Sequence, residues 1–255
     1  MLGARQFMEG SSEMNSYVAD GLICWYDGFD NAGPGMHNAS AMTWKNLGSL
    51  GSAYDATRRA GVFQTNGAVF ADYTNKDSIF IIPGYLLRDK MKGEWSVEVV
   101  FTPGSLWKQN FHGIFGGHIG KTPNNSKGLV FGQYEAGPIR FVLFRPLVVL
   151  WDAPASEFTV DTMCSMSISA SNTARAATVW KDGVQKAAPT GVDVLLNNSD
   201  SRYTCIGSAY YDETLSTIND RAFHGKIHCV RVYDRPITAA EVATNNIVDK
   251  RRFGL

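Results

Sequence analysis

Apolar and polar residues alternate with a period of two along much of this chain. The clearest run is Cys164-Ser165-Met166-Ser167-Ile168-Ser169-Ala170, where every even position is apolar and every odd one a serine. Such alternation predicts a strand with one wet face. Trp95, Val97, Val99 and Phe101 likewise share a face opposite Ser96 and Glu98, so Glu98 reads as an exposed strand residue. Asn66-Gly67, between GVFQT and AVFAD, and Asp182-Gly183, between AATVWK and VQKAA, predict tight hairpins, because type I′ turns need positive φ. Helical signals wait until the end, where Thr238-Ala239-Ala240-Glu241 forms a capping box with Ile237 and Val242 at the staple positions. Lys250, Arg251 and Arg252 follow, where a helix dipole favours cations. The pattern predicts an all-β, two-sheet antiparallel sandwich with a short C-terminal helix beginning near Ala239.

Length and charge narrow this picture. A chain of 255 residues suits one two-sheet domain around a single core. The expected division is an N-terminal arm or linker over 1–18 and a sandwich domain over 19–255. Net charge is +0, so no basic surplus points to nucleic acid. The start lacks a basic segment followed by an apolar one, so no signal peptide is expected. The most apolar stretch, Ile139 to Trp151, is too short to span a bilayer and is broken by Arg145 and Pro146. Cys24, Cys164, Cys205 and Cys229 lack CxxC spacing and sit in apolar segments, which reads as buried free thiols.

The search for chemistry is mostly negative. Glu94 and Glu98 share a strand face but would stand about 13 Å apart, whereas paired glycosidase carboxylates lie at about 5 to 9.5 Å. Gly116 to Thr122 ends like a phosphate-binding loop, yet Pro123-Asn124-Asn125 follows where a helix is required. His224 and His228 are too far apart on an extended strand to chelate one metal. Asp27, Asp30 and Asn31 cluster at the mouth of the loop from Gly28 to Met42 and are candidate Ca2+ ligands, although the same residues favour turns for local reasons. A sugar needs aromatic faces beside hydrogen-bonding groups. Trp25, Trp95 and Trp180 read as core, while Trp107, Trp151 and Tyr210-Tyr211-Asp212 are the carbohydrate-binding candidates. Finally, Phe141 to Trp151 is apolar at both parities, which marks either a subunit interface or burial beneath another part of the chain.

Several segments together resemble the laminin-G-like branch of the concanavalin A-like lectin/glucanase superfamily: GLICWYDG (21 to 28), TWKNLGSLG (43 to 51), WSVEVVF (95 to 101), ATVWKDGV (177 to 184) and FHGKIHCVRVYDRPITAAEVATN (223 to 245). The resemblance covers about 18 to 253 and is most specific in the last block. It implies a jelly roll of two antiparallel sheets with roughly six or seven strands each, and no single activity. The opening YVADGLICWYDGFDNAG and the ending VDKRRF are similar to proteins of bacteriophages and prophages of gut bacteria. The resulting expectation is a chain that is not an enzyme: a virion surface or structural component, assembled in the host cytoplasm, with other virion proteins or a second copy as partners and host glycans as possible ligands. A carbohydrate-binding lectin and a glycoside hydrolase with an unrecognised carboxylate pair are the alternatives.

Overall fold

A computed structural model describes residues 16–59, 62–64, 66–70, 79–104, 112–119, 127–133, 139–144, 148–196, 204–208 and 223–255. Two antiparallel sheets face each other. The first contains β1 (Leu22–Asp27), β4 (Val62–Gln64), β5 (Gly67–Phe70), β7 (Glu94–Pro103), β12 (Cys164–Ser171), β13 (Ala176–Lys181), β14 (Val184–Ala187) and β16 (Gly225–Tyr233). Its order is β14-β13-β12-β7-β16-β5-β4, with β1 also paired to β16. The second runs β11 (Val148–Ala153), β10 (Ile139–Phe144), β9 (Lys127–Gln133), β8 (His112–Ile119), β15 (Thr204–Ile206), β6 (Phe80–Ile82), β3 (Ala56–Arg58) and β2 (Thr43–Trp44). Among the described residues each sheet has eight strands, against the six or seven expected, and short strands such as β2 and β3 extend the second sheet at one edge.

The alternating residues pack as the pattern requires. Val97, Val99 and Phe101 of β7 and Met166, Ile168 and Ala170 of β12 enter the core between the sheets. Trp44 anchors one end, with its ring centroid 5.3 Å from Phe63 and 5.2 Å from Phe80. The Asp182-Gly183 hairpin joins Lys181 to Val184 with φ of 51° and 79°, the positive pair expected of a type I′ turn. The four cysteines are buried free thiols.

One helix, α1 (Ala239–Phe253), closes the outer face of the first sheet. Thr238 accepts from the Glu241 amide while Glu241 accepts from the Thr238 amide, completing the capping box. Two expectations fail here. Ser165, Ser167 and Ser169 do not face water; they are buried, and Asn246 of α1 donates to Ser165 Oγ at 2.8 Å. Glu98 is not exposed either, with 3% of its surface accessible. Period-two alternation reports which residues share a face, and α1 decides that this face is covered. Tyr17, read from the sequence as part of an arm, is also packed into this seam.

Candidate functional site

The polar groups gather in two buried clusters between α1 and the first sheet. In one, Arg231 of β16 donates through Nε to Glu98 at 2.9 Å and through Nη1 to Asp249 at 2.8 Å, with Nη2 on the other Asp249 oxygen at 2.6 Å. Asn245 and Ser167 also donate to Glu98, and Tyr17 donates to Asp249 across the Arg231 guanidinium. Burial pushes the Glu98 carboxyl above the ordinary range and the Arg231 charge draws it back only in part. The cluster holds two carboxylates against one guanidinium.

The second cluster has the same composition. Arg252 of α1 grips Asp27 bidentately, with both contacts at 2.9 Å, and also donates to Asp30. Asp30 accepts from the Gly35 amide at 2.7 Å, and Asn31 clasps both the amide and the carbonyl of Asn38 at 2.8 Å. Burial and the Asp27 charge raise the Asp30 pKa against the pull of Arg252. Of the expected Ca2+ ligands, Asp27 and Asp30 are therefore brought together, but the cation meeting the two carboxylates is a guanidinium, and the Asn31 side chain bonds instead to Asn38. This donor set does not fit a calcium ion, which needs six to eight oxygens free to converge. Among the described residues no three His, Cys, Asp or Glu side chains are grouped to hold a metal. What the residues do is fasten the loop from Gly28 to Met42, with His37 Nδ1 bonded to the Gly28 carbonyl at 2.9 Å.

The histidine and cysteine chemistry is quiet. His228 bridges the Asn66 carbonyl at 2.8 Å and Thr102 at 2.9 Å, and burial lowers its pKa to about 4. Burial raises the Cys24 and Cys205 thiols to about 12, far from the thiolate a nucleophile requires.

Of the carbohydrate-binding candidates, Trp107, Tyr210, Tyr211 and Asp212 lie outside the described residues. Trp151 is half-buried on β11, at the edge where the two sheets approach, with its ring centroid 6.4 Å from that of Phe158. Lys181 lies over the Phe158 ring, and Lys186 pairs with Glu157 at 2.9 Å beside it. An aromatic flanked by ion pairs at a sandwich edge offers the two kinds of contact a sugar uses. The alternation of side chains along this strand is interrupted. Phe141 pairs with Trp151 but Val142 pairs with Val149, so Leu150 is an inserted bulge residue and parity breaks there. Leu150 and Ala153 are buried, Val148 and Trp151 pack against the core edge, and Val149 and Asp152 point outward. Residues 145–147, and the side chains of 141–144, lie outside the described part of that stretch.

No protein-family model matches the sequence, and no curated protein matches it. Solved structures do match. A sialidase of Trypanosoma rangeli, in complex with 2,3-difluorosialic acid, is similar over 97% of this chain at 12% identity with a TM-score of 0.65. Domain 4 of AbnA, a GH43 extracellular arabinanase from Geobacillus stearothermophilus in complex with arabinotriose, is similar over 89% of this chain and 98% of that domain, at 19% identity and a TM-score of 0.53. The chain shares their fold.

The CBM40 of the Ruminococcus gnavus IT-sialidase, bound to α2,3-sialyllactose, is similar over 64% of this chain and 91% of its own length, at 12% identity and a TM-score of 0.50. These likenesses agree with the lectin-like sandwich that the sequence resemblance implied. They also correct one expectation: the chain cannot be set apart from enzymes, because it aligns along nearly its full length with sialidases. The chain spans 38% of the sialidase's length. None of the matched proteins named here is a virion component. No helix among the described residues is long and apolar enough to cross a membrane.

The buried pairing of Arg231 with Glu98 and Asp249, and of Arg252 with Asp27 and Asp30, escaped sequence reasoning. Arg252 read only as a dipole partner. The Asp249 to Arg252 spacing places both on one helical face, a signal that such a face meets charge.

Proposed function

We propose that this chain is a glycan-binding β-sandwich domain, serving the recognition of oligosaccharides in a setting of glycoside processing. The observation that carries the reading is the match to 98% of an arabinanase domain that holds arabinotriose. The likeness to a sialyllactose-bound module supports the same class of ligand. The proposed contact surface includes Trp151 at the β11 edge, together with Trp107, Tyr210, Tyr211 and Asp212. A half-exposed indole supplies a face for sugar C–H groups, and the Lys186–Glu157 pair beside Phe158 supplies donors and acceptors. The virion setting, with docking to other virion proteins, rests on the sequence resemblance alone.

The test is calorimetric titration of the full chain with arabinotriose and α2,3-sialyllactose, with free sugar assayed in the same samples. Saturable binding weakened about tenfold or more by Trp151→Ala, the loss of roughly one good contact, supports both the function and the Trp151 surface. Binding unaffected by Trp151→Ala keeps the function and removes that surface. Release of free sialic acid or arabinose makes the chain a hydrolase, a reading the sialidase likeness favours. No heat with either ligand, and none across a wider glycan array, overturns the proposal.

A further inference from the structure

The loop fastened by Asp27, Asp30 and Asn31 ends at Met42, immediately before β2. Arg58 closes β3 on the neighbouring strand: Thr43 pairs with Thr57, and the Arg58 amide donates to the Met42 carbonyl at 2.8 Å. The two side chains follow, with Arg58 Nη2 donating to Met42 Sδ at 3.1 Å. Met42 is 56% exposed and Met36, on the same loop, 54%. Met91 and Met166 are buried.

From this arrangement we infer that Met42 is a site of reversible thioether oxidation, with Arg58 positioned to select and hold the oxidised form. The oxidant is a peroxide. A sulfur lone pair attacks one peroxide oxygen, the O–O bond breaks, and water leaves after proton transfer. Sulfur loses two electrons to become the sulfoxide, and the peroxide gains them.

Thioether sulfur has two lone pairs and is a weak acceptor. The guanidinium engages one of them, so oxygen adds at the other and one sulfoxide epimer forms in excess. The new S–O oxygen is a much stronger acceptor than the thioether, and a small torsion returns it to the charged donor on Arg58. Oxidation thus exchanges a weak cross-strand contact for a strong one where the rim loop joins the second sheet.

The experiment treats the full chain with limiting hydrogen peroxide, maps the added oxygen by peptide mass spectrometry, and challenges the product with the two epimer-specific methionine sulfoxide reductases. Met36 and Met42 should gain oxygen well before Met91 and Met166. Met42 sulfoxide should be reduced several-fold more by one reductase than by the other, and Arg58→Ala should collapse that bias towards the value at Met36. Met42→Leu identifies the Met42 signal without removing Arg58. Oxidation of Met42 no faster than that of Met166, or the same epimer ratio with and without Arg58, overturns the inference.

Discussion

Two interiors lie on either side of the first sheet, one apolar and one in which apolar packing surrounds buried charge. Between the sheets, Val97, Phe101, Ile168, Leu129 and Phe131 belong to one cluster of buried apolar residues. Beneath α1, Glu98 of β7, Ser165 of β12 and Arg231 of β16 make buried ion pairs and hydrogen bonds within a second cluster of apolar residues that includes Val100, Trp180, Val242 and Val248. The first interior is held by non-directional burial, which tolerates small shifts. In the second, each buried charge is costly unless its partner is in place. The comparison teaches that buried area stabilises both sides of the sheet, and that the side under α1 depends in addition on the geometry of its ion pairs.

Removing a partner is therefore the most damaging way to break the comparison. Arg231→Ala should destabilise the fold by about 3 to 5 kcal/mol, because Glu98 and Asp249 are left buried without compensation; chemical denaturation measures it. A smaller loss than a core truncation would mean that water reaches the seam. On the other side, Leu129→Ala should cost about 2 to 5 kcal/mol in the same experiment, as transfer and cavity costs add. Replacing Arg231, Glu98 and Asp249 together by apolar residues should recover much of the first loss, whereas no change in charge can rescue the second.

Thr238→Ala sharpens the comparison at the helix end, with an expected cost of about 0.5 to 2 kcal/mol from an unpaired amide. No measurable change would show that Arg235 and Glu241 alone hold that end in place.

The smallest effect separates buried from exposed carboxylates by pH. The folded chain holds the Glu98 proton more tightly than the value of 4.5 for an ordinary glutamate. Glu98 thus adds stability as pH falls through its folded value, and that contribution is lost as pH rises again. Glu241 goes the other way: its bond to Arg235 draws the carboxyl down to about 2, so its contribution stands above 4.5 and is lost as pH falls towards 2. Melting curves should show Glu98→Gln closing on wild type towards neutral pH and falling behind it in acid. Glu241→Gln should trail at neutral pH and converge in acid. The same slope for both variants would show that burial does not govern Glu98.

The apolar interior was legible in the sequence because its residues announce themselves by period. Trp95, Val97 and Val99 share a parity, and no later part of the chain alters what that means. The cap at Thr238 was legible for the same reason, as its contacts lie within one turn. Glu98 was not legible: its meaning depends on Arg231 and Asn245, more than a hundred residues away, and a polar face reads identically whether water or a helix covers it. The stretch ending at Trp151 was legible only in part, since the inserted Leu150 breaks the parity of β11 between Val149 and Trp151. For the calcium candidates, the closeness of Asp27, Asp30 and Asn31 in sequence was legible, but Arg252, which meets Asp27 and Asp30 from the far end of the chain, could not be placed beside them.

The hydrogen bonds from Tyr17 to Asp249 and from Val18 to Asn245 join the first described turn of the chain to its final helix. The first and last described residues consequently share one side of the sandwich. A unit whose ends meet can be spliced into a surface loop of a host protein like a bead on a short stalk, with little cost in loop closure. It also lends itself to circular permutation: joining the ends and opening the chain at Asp182-Gly183 would leave both sheets paired and turn a peripheral hairpin tip into the new termini.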